Sequence, residues 1–484
     1  MYDVVVVGAG SAGCALAGRL APRIAGSVLL VEAGTAVPGS ADIASLDATA
    51  PGHSRNWAHP VELAPGIAAV VPRGRGIGGS GAINGAVWTY VTPADAAGWG
   101  LPGWSYPTLR YFYATAEREA LFATEGPMPV LVPSGELLHP SAERFLAACA
   151  SLGFRAEPDK NAGAPPGAGL VPSNSRDGLR IDAARAYLPS RLPFGAQHLS
   201  AGPPGEPDAQ GIAEPRGPAV RADTTVERVL VERGRAVGIE LAGGERIAAG
   251  EVVLCAGAVG TPRILLHSGL GPADTLRAAG IDVLADLPDV GRGWSDHPAV
   301  FLPFRTDDQP AHPHAPTPQA ALNWDAGADP AGDVEVLLFT RPFVPDGDLH
   351  LMCALQQPDS RGELDLDRIS YGYLSTEHDR RRLRHALRTG ADLLRVGVGA
   401  RTDPGGDVLG NDRSLDAWIA AHLTTAIHLC GSAALGRVVD VDLRVFGVDG
   451  LRVADTSVLP TAPRRGPAAT AVAIGEKAAA LLAI

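Results

Sequence analysis

The chain has 484 residues, of which 46% are hydrophobic and 19% are charged, and this composition excludes intrinsic disorder. The formal net charge is −12 without a block of like charge, which argues against a nucleic-acid partner. Five cysteines lie far apart with no C-x-x-C pair, so we expect no metal site and a reducing compartment.

The length allows about three compact units, or two with insertions, at roughly 150 residues each. The chain opens directly on a strand without a secretory signal, and no apolar run approaches the ~20 residues needed to span a bilayer. We therefore expect a cytoplasmic protein and leave open a peripheral contact with the inner face of the cell membrane.

The first segment, YDVVVVGAGSAGCALAGRL, is a β-branched run, a glycine motif and an Ala/Leu-rich helix, and VLLVEAG follows as a second strand. This is the βαβ fingerprint of dinucleotide binding. In it, Gly8 makes the tight turn, Gly10 lets the backbone approach the pyrophosphate and Gly13 allows close helix–strand packing. Glu32 ends the second strand and can accept hydrogen bonds from a ribose. The motif by itself leaves FAD and NAD both open.

A second glycine-rich stretch, VPRGRGIGGSGAINGAVW (71–88), places six glycines around Arg73, Arg75, Ser80 and Asn84. So many glycines predict a backbone that lies against a flat or charged group, and a flexible surface loop is the alternative. Further along, GAVGTPRILLHSGLGP (257–272) follows the strand EVVLCA and predicts a helix capped at Thr261-Pro262.

Near the end of the chain, TTAIHLCGSAALG (424–436) carries His428 in an apolar stretch. An imidazole titrates near neutral pH and can act as a general base, although a buried core histidine is the alternative. The last predicted helix lies in PRRGPAATAVAIGEKAA (463–479).

Together these stretches resemble the glucose–methanol–choline (GMC) oxidoreductases, whose two signatures are similar to RGxxxGGSxxxN and GAxxTPxxLLxSGLG here. The similarity continues through GWSYPTLRYFYATAE (103–117), DGLRIDAARAYL (177–188), DLPDVGRGWSDHP (286–298) and VDGLRVADTSVLP (448–460). It implies an α/β fold with a discontinuous Rossmann-like FAD-binding domain, built from 1–96, 220–296 and 430–484. The substrate domain, with an antiparallel sheet and helices, would comprise 97–219 and 297–429.

The resemblance implies FAD as the cofactor, bound non-covalently, because Ile83 stands where some family members carry the histidine that links to the flavin. It also implies which residues contact FAD. They are Gly8, Gly10, Ser11, Gly13, Glu32, Ala33, Arg73, Gly78, Gly79, Ser80, Asn84, Gly85, Val87, Val226, Ala256, Gly257, Asp455, Thr456, Pro467 and Thr470.

The family's active-site pattern H-x-x-G-[ST]-x-x-[ML]-G is similar to the stretch from His428 to Gly436. The resemblance implies that His428 takes the hydroxyl proton of a CH–OH substrate as hydride moves to flavin N5. The family's second active-site Asn or His falls on Gly466, which has no side chain to replace it. Arg464 and Arg465 are the neighbouring candidates, since a guanidinium stabilises an alkoxide although it cannot act as a base. Two alternatives stay open: a site with one histidine, and arginines that are solvated or bind an FAD phosphate.

The stretches HLCGSA, RGPxAT and GGSGAING resemble one branch of the family, the mycofactocin-associated oxidoreductases of actinobacteria. That resemblance implies a dehydrogenase that oxidises reduced mycofactocin and passes electrons to the respiratory chain. The alternatives are a choline or small-alcohol dehydrogenase or oxidase that uses O2, and a non-catalytic flavin-binding electron-relay protein. Two regions rich in Pro, Gly and Ala, 194–218 and 307–332, are predicted to be loops, the first of them an insertion over the substrate entrance or a surface segment.

Overall fold

The computed structural model describes residues 1–119, 124–188, 217–327, 329–343 and 347–483. The predicted loop at 194–218 lies almost wholly outside these ranges. Within them the helices are α1 (Ser11–Leu20), α2 (Pro93–Trp99), α3 (Tyr106–Ala116), α4 (Pro140–Ser151), α5 (Ala183–Tyr187), α6 (Gly257–His267), α7 (Ala273–Ala278), α8 (Glu377–Leu393), α9 (Gly406–Leu409), α10 (Asp412–His422) and α11 (Ala468–Leu482).

The strands alternate with these helices along the chain. They are β1 (Tyr2–Val7), β2 (Val28–Val31), β3 (His59–Ala64), β4 (Ile67–Val71), β5 (Arg118–Glu119), β6 (Thr124–Glu125), β7 (Ala168–Leu170), β8 (Ser175–Arg176), β9 (Leu179–Arg180), β10 (Ala219–Arg221), β11 (Val226–Glu232), β12 (Arg235–Leu241), β13 (Arg246–Leu254), β14 (Leu270–Gly271), β15 (Ala285–Asp286), β16 (Arg292–Trp294), β17 (Pro298–Arg305), β18 (Pro318–Trp324), β19 (Val334–Phe339), β20 (Leu349–Leu355), β21 (Gly362–Leu364), β22 (Ile369–Ser370), β23 (Ala400–Arg401), β24 (Thr424–Thr425) and β25 (Leu451–Val453).

The first sheet has the order β10-β2-β1-β13-β12-β11, with β25 paired to β13. The strands β10, β2, β1, β13 and β25 run parallel, and β12 and β11 add an antiparallel extension. The runs Val4–Val7 and Val28–Val31 are fully buried, as expected of parallel strands covered on both faces. Helix α1 packs on α11, where a Cβ on Gly475 would lie 2.3 Å from the carbonyl oxygen of Ala12. This sheet is the predicted nucleotide-binding unit.

The second large sheet is antiparallel, with the order β23-β17-β20-β19-β18-β7 and β24 paired to β17. Alternate side chains point to opposite faces of a strand. On β18, Leu322 and Trp324 pack with Leu383 and Leu387 of α8, whereas Ala321 joins an apolar cluster on the other face. One face of the sheet is therefore covered by helices, and the other faces a large cavity. The predicted α/β fold class is confirmed, and the domain boundaries stay a prediction.

The prediction that 307–332 is a loop was wrong over Pro318–Trp324, which forms the interior strand β18. All seven of its side chains are buried, and it pairs with β19 on one edge and β7 on the other. Gln319 and Asn323 interrupt the apolar pattern expected of a buried strand, so the sequence does not indicate one. Pairing with β19 and β7 stabilises the strand despite its weak local β-propensity. No helix in the described ranges is long and apolar enough to cross a membrane.

Candidate active site

A cavity of about 1700 Å³ lies between the two sheets. Its walls include the ends of β1, β2 and β13 on one side, and Ala321, Leu337 and Met352 of the antiparallel sheet on the other. Typical sites for one small ligand measure about 300–1,000 Å³. The cavity therefore has room for a dinucleotide and a second molecule together.

Three helices begin at the wall of this cavity. Their N-cap residues are Gly10 for α1, Ala256 for α6 and Pro467 for α11, and among the described residues none of these ends has a side-chain cap. The first N–H groups of a helix have no partner within the helix, and together with the helix dipole they attract anions. The chain thus offers backbone donors to a phosphate-bearing group, which fits the predicted FAD.

Glu32 connects the two glycine-rich stretches. Its Oε2 accepts the Ala9 N–H at 2.9 Å, and its Oε1 accepts the N–H groups of Gly34 and Gly76 at 2.8 and 2.9 Å. The second stretch then crosses α1 so closely that a Cβ on Gly79, at φ +53°, would lie 2.6 Å from the Cα of Gly10. Glycine at 79 is therefore required by the close approach of two backbones.

Most residues predicted to contact FAD do line the cavity. They are Gly8, Gly10, Ser11, Glu32, Ala33, Arg73, Gly79, Ser80, Asn84, Gly85, Val87, Val226, Ala256, Gly257, Asp455, Thr456 and Pro467. The structure places the other three behind the wall. A Cβ on Gly13 would meet the carbonyl of Gly8, and one on Gly78 would meet Asp182, so both glycines serve packing. Thr470 is fully buried, and its hydroxyl bonds to Tyr113 at 2.8 Å.

His428 lies on the cavity wall and is held from behind by a second histidine. Its Nδ1 is 2.9 Å from Nδ1 of His297, whose ring is fully buried and nearly perpendicular to it. Asp296 fixes both residues, because its Oδ1 accepts the backbone N–H of His297 at 2.6 Å and of His428 at 2.8 Å. Arg73 donates from Nη1 to the carbonyl of Ile427 at 3.0 Å. Ile427 has φ +66°, an unfavourable conformation for a β-branched residue, so the turn before His428 is held by these contacts.

The surroundings of His297 indicate which nitrogen of His428 carries a proton. Desolvation lowers the pKa of His297, whereas the backbone carbonyl groups of Gln356 and Pro463 favour a proton on its ring, although none of the described residues forms a hydrogen bond with its Nε2. Since Nδ1 of His297 faces His428, we assign that proton to Nε2 of His297. His428 then donates from Nδ1 to His297, which leaves its own Nε2 with a free lone pair. This tautomer is the one that can accept a proton from a substrate.

The surroundings keep His428 neutral. Desolvation and the nearby charge of Arg73 lower the pKa of His428 to about 3. Desolvation also holds the pKa of His297 well below its ordinary value, and it raises the pKa of Asp296 to about 6. His428 is consequently an uncharged acceptor at neutral pH, as a general base must be before it takes the proton.

Gly466, where the resemblance placed the family's second active-site side chain, lies directly against His428. A Cβ on Gly466 would be 3.2 Å from His428 Nε2, tighter than an ordinary contact. Of the two candidate arginines, Arg464 is bound to Asp95 and Asp329. Arg465 lines the cavity, is only 4% exposed, and donates from Nη2 to Glu157 Oε1 at 2.7 Å. Solvation of the two arginines, an alternative left open by the sequence, was wrong.

Sequence reasoning missed a group of polar side chains near Arg465. Lys160, Asn323 and Glu335 line the same cavity, and Lys160 donates to both Glu157 and Asn323. Lys160 is one of two lysines in the chain, a signal that went unused. His297 was also missed as a partner of His428, although it lies within the conspicuous DHP tripeptide.

Comparison with known proteins agrees with this geometry. The two family models described as GMC oxidoreductase match residues 2–201 with 212–299, and residues 357–475. The chain is 33% identical to an "Uncharacterized GMC-type oxidoreductase in thcA 5′region" of Rhodococcus erythropolis, over 99% of this chain and 98% of that protein. It is 30% identical to an oxygen-dependent choline dehydrogenase of Sinorhizobium medicae, over 99% and 94% of the two chains.

Among solved structures, pyridoxine 4-oxidase from Mesorbium loti superposes with a TM-score of 0.84 at 28% identity and covers 99% of both chains. A fungal aryl-alcohol oxidase with 23% identity has the same fold, with a TM-score of 0.82 over 100% of this chain and 98% of that one. The cofactor is FAD. The chain therefore belongs to the GMC oxidoreductase family and is an FAD-dependent enzyme acting on CH–OH groups.

Proposed function

We propose that the protein is an alcohol dehydrogenase in which His428 is the general base. The observation that carries this proposal is the pair of histidines: His297 occupies Nδ1 of His428, and Nε2 faces the cavity beside Gly466. Bound FAD would supply the acceptor for the hydride of the carbinol carbon. The hydroxyl proton passes to Nε2 of His428, and the CH–OH group becomes a carbonyl.

The site would work without a second imidazole or amide at position 466. Asp296 and Arg73 orient the turn that carries His428, so one histidine is fixed from several directions. Arg465 remains a candidate for electrostatic stabilisation of the developing alkoxide, because it lies on the cavity wall next to Gly466. Ile83 supports non-covalent FAD, since its side chain cannot form a bond to the flavin.

The substrate we propose is reduced mycofactocin, with electrons passed to the respiratory chain from the cytoplasmic side of the membrane. The stretches HLCGSA and RGPxAT, and glycine at 466, support this choice. The second candidate is a choline or small-alcohol dehydrogenase or oxidase that uses O2, and the 30% identity to an oxygen-dependent choline dehydrogenase favours it. An electron relay without turnover is disfavoured by the ordered His297–His428 pair.

The test is anaerobic reduction of the purified holoenzyme, followed in the visible flavin band. Bleaching by reduced mycofactocin and not by choline supports the proposed substrate, and the reverse supports the small-alcohol enzyme. His428→Ala should bind FAD normally and reduce it about 100-fold or more slowly, the usual scale for a general base. Unchanged reduction by His428→Ala would remove His428 from the mechanism.

A further inference from the structure

Glu335 brings a carboxylate to the wall of the cavity. The residue lies near the start of β19, and its neighbours Val334 and Val336 point to the opposite, helix-covered face of the sheet. Glu335 is 8% exposed, and it lines the cavity. A glutamate is almost never buried to this extent unless it is paired, so its hydrogen bonds indicate what it does there.

Only one of the two oxygens of Glu335 has a partner among the described residues. Oε2 accepts the side-chain N–H of Asn323, its cross-strand neighbour on β18, at 2.9 Å. Oε1 has no such donor, yet it is open to the cavity, whereas the unpartnered Nη1 of Arg465 is buried. Burial raises the pKa of Glu335, because the carboxylate lacks the solvation that it has in water. A donor group on a bound molecule would supply that solvation at Oε1.

The charges around Glu335 favour an uncharged donor. Lys160 donates to Glu157 and to Asn323. Arg465 donates to the same Glu157. With Glu335 ionised, the two acids and the two bases carry equal and opposite charge, so this buried group is balanced without a ligand. A bound cation would leave an unbalanced positive charge, and an anion would meet the carboxylate directly. A hydroxyl or an amide N–H can donate to Oε1 without changing the balance.

The sheet register relates Glu335 to the position of His428. Ala354 of β20 lies opposite Glu335 on one side and opposite Ala299 of β17 on the other. His297, whose ring contacts His428 at 2.9 Å, lies two residues before Ala299. Adjacent strands are about 4.8 Å apart and each residue advances ~3.3 Å, which places the Cα atoms of Glu335 and His297 about 12 Å apart. A substrate that reacts at His428 can therefore reach Glu335 with a group at its far end.

The wall that connects these two positions is apolar. Ala426 is two residues before His428, and Leu337 is two residues after Glu335 on the same face of β19. Both belong to one apolar cluster that also contains Met352, and all three of these side chains line the cavity. A substrate that spans the two positions is therefore expected to carry a hydrocarbon spacer between two polar groups.

We infer that Glu335 Oε1 accepts a hydrogen bond from a second, uncharged donor group of the substrate, a hydroxyl or an amide N–H that an apolar spacer separates from the reacting carbinol. The substrate class is that of extended diols and hydroxy amides. Glu335 determines specificity in this assignment and takes no part in proton transfer. The inference rests on the proposed function, because it places the reacting hydroxyl at His428.

The test is anaerobic flavin reduction of the holoenzyme by α,ω-alkanediols, from propanediol to decanediol, each compared with the 1-alkanol of the same length. We expect the ratio of the two efficiencies, counted per carbinol group, to reach a maximum of about 30-fold at one chain length, the scale of a hydrogen bond to a charged group. ω-Hydroxyalkanamides of that length show whether a hydroxyl or an amide N–H is preferred. A ratio near one at every length, or a preference for ω-aminoalkanols or ω-hydroxyalkanoates, would overturn the inference.

The variant Glu335→Gln should bring this ratio close to one, because glutamine can still bond to Asn323 but presents no carboxylate to the cavity. Glu363→Gln is the matched control and should keep the wild-type ratio, since Glu363 is an exposed partner of Arg292 outside the cavity wall. Flavin content and thermal melting show whether each variant folds. An equal loss with diol and alkanol in Glu335→Gln leaves the ratio unchanged and would contradict a role in selectivity.

The variant Glu335→Asp gives an independent readout if the glutamine variant does not fold. It keeps the charge but withdraws it by one methylene group, so the maximum should move to a longer diol. An optimum at the wild-type length would show that the second donor does not contact this side chain.

A binding measurement separates this inference from the proposed function. Octanamide carries an N–H donor but no carbinol, so it binds without turnover. Calorimetry should show that the wild type binds octanamide about 10-fold more tightly than Glu335→Gln does, because a hydrogen bond to a charged acceptor is the stronger one. If no alcohol bleaches the flavin, the proposed function fails, while this titration still decides whether Glu335 recognises a donor. Equal affinity for the two proteins would refute that recognition.

Discussion

Removing the acceptor that His297 offers to His428 tests the tautomer on which the mechanism depends. The variant His297→Leu is apolar and fits a fully buried position. It loses a hydrogen bond worth about 0.5–1.5 kcal/mol, which alone slows a reaction roughly 2–10-fold. Without this acceptor, the proton of His428 can move from Nδ1 to Nε2, and Nε2 can then no longer accept the substrate proton. General base catalysis contributes about 10²–10⁴-fold to a rate, and the variant loses part of that factor. We expect flavin reduction to slow about 100-fold.

The matched variant is His297→Asn, whose Oδ1 can stand near the position of Nδ1 and accept from His428. We expect it to retain most of the rate that His297→Leu loses. The assay is anaerobic stopped-flow reduction at increasing alcohol concentration, which separates the limiting rate from the dissociation constant. The loss should appear in the limiting rate. A leucine variant within threefold of the wild type, or an asparagine variant no faster than leucine, would refute the assigned tautomer.

Three further predictions concern the same cavity. Gly466→Ala places a Cβ 3.2 Å from His428 Nε2 and should lower kcat/KM by about 10-fold or more with normal FAD content, because small misplacements near the reacting atoms are costly; an unchanged kcat/KM would contradict this. The pKa of His428 falls from 6.5 in the unfolded chain to about 3 in the folded protein, so the unfolded chain binds a proton first as the pH is lowered. Acidification below about pH 6.5 should therefore lower the free energy of unfolding of the wild type relative to His428→Gln in urea denaturation. The same pH dependence in both proteins would contradict this prediction. Gly79→Val should lose FAD in spectra of the purified protein, because its Cβ would lie 2.6 Å from Gly10 Cα; full flavin content would show that the backbones can separate.

The nucleotide half of the cavity could be predicted because its determinants are local. Gly8, Gly10 and Glu32 lie in one βαβ unit, so their spacing along the chain fixes their spacing in the fold. The second glycine-rich stretch was predictable for the same reason, since Gly79 meets Gly10 at a single crossing. Thr470 shows where the approach fails. It shares a helix with residues that line the cavity, but its side chain turns to Tyr113, and a linear motif carries no information on helix rotation.

The substrate half could not be predicted because its determinants are distant in sequence. Strand β18 contains Gln319 and Asn323, and it becomes an interior strand only when β7 and β19 pair with its edges. Without that strand, Asn323 and Glu335 have no reason to be neighbours, and Lys160 lacks one of the three acceptors that compensate for its burial. Polar residues in strands are explained by the partners that the sheet brings to them.

Gly466 could be located from the sequence, but its meaning depends on what surrounds it. In the sequence alone, Gly466 is the position at which the family's second active-site side chain is missing. In the fold it borders Nε2 of His428 and opens on the same cavity as Arg465, so the space that another residue would fill stays available to the substrate. Arg465, one position earlier in the chain, lines the same cavity and is held by Glu157, but its guanidinium is permanently protonated and cannot accept a proton. Of these neighbours, His428 is therefore the side chain suited to act as the base.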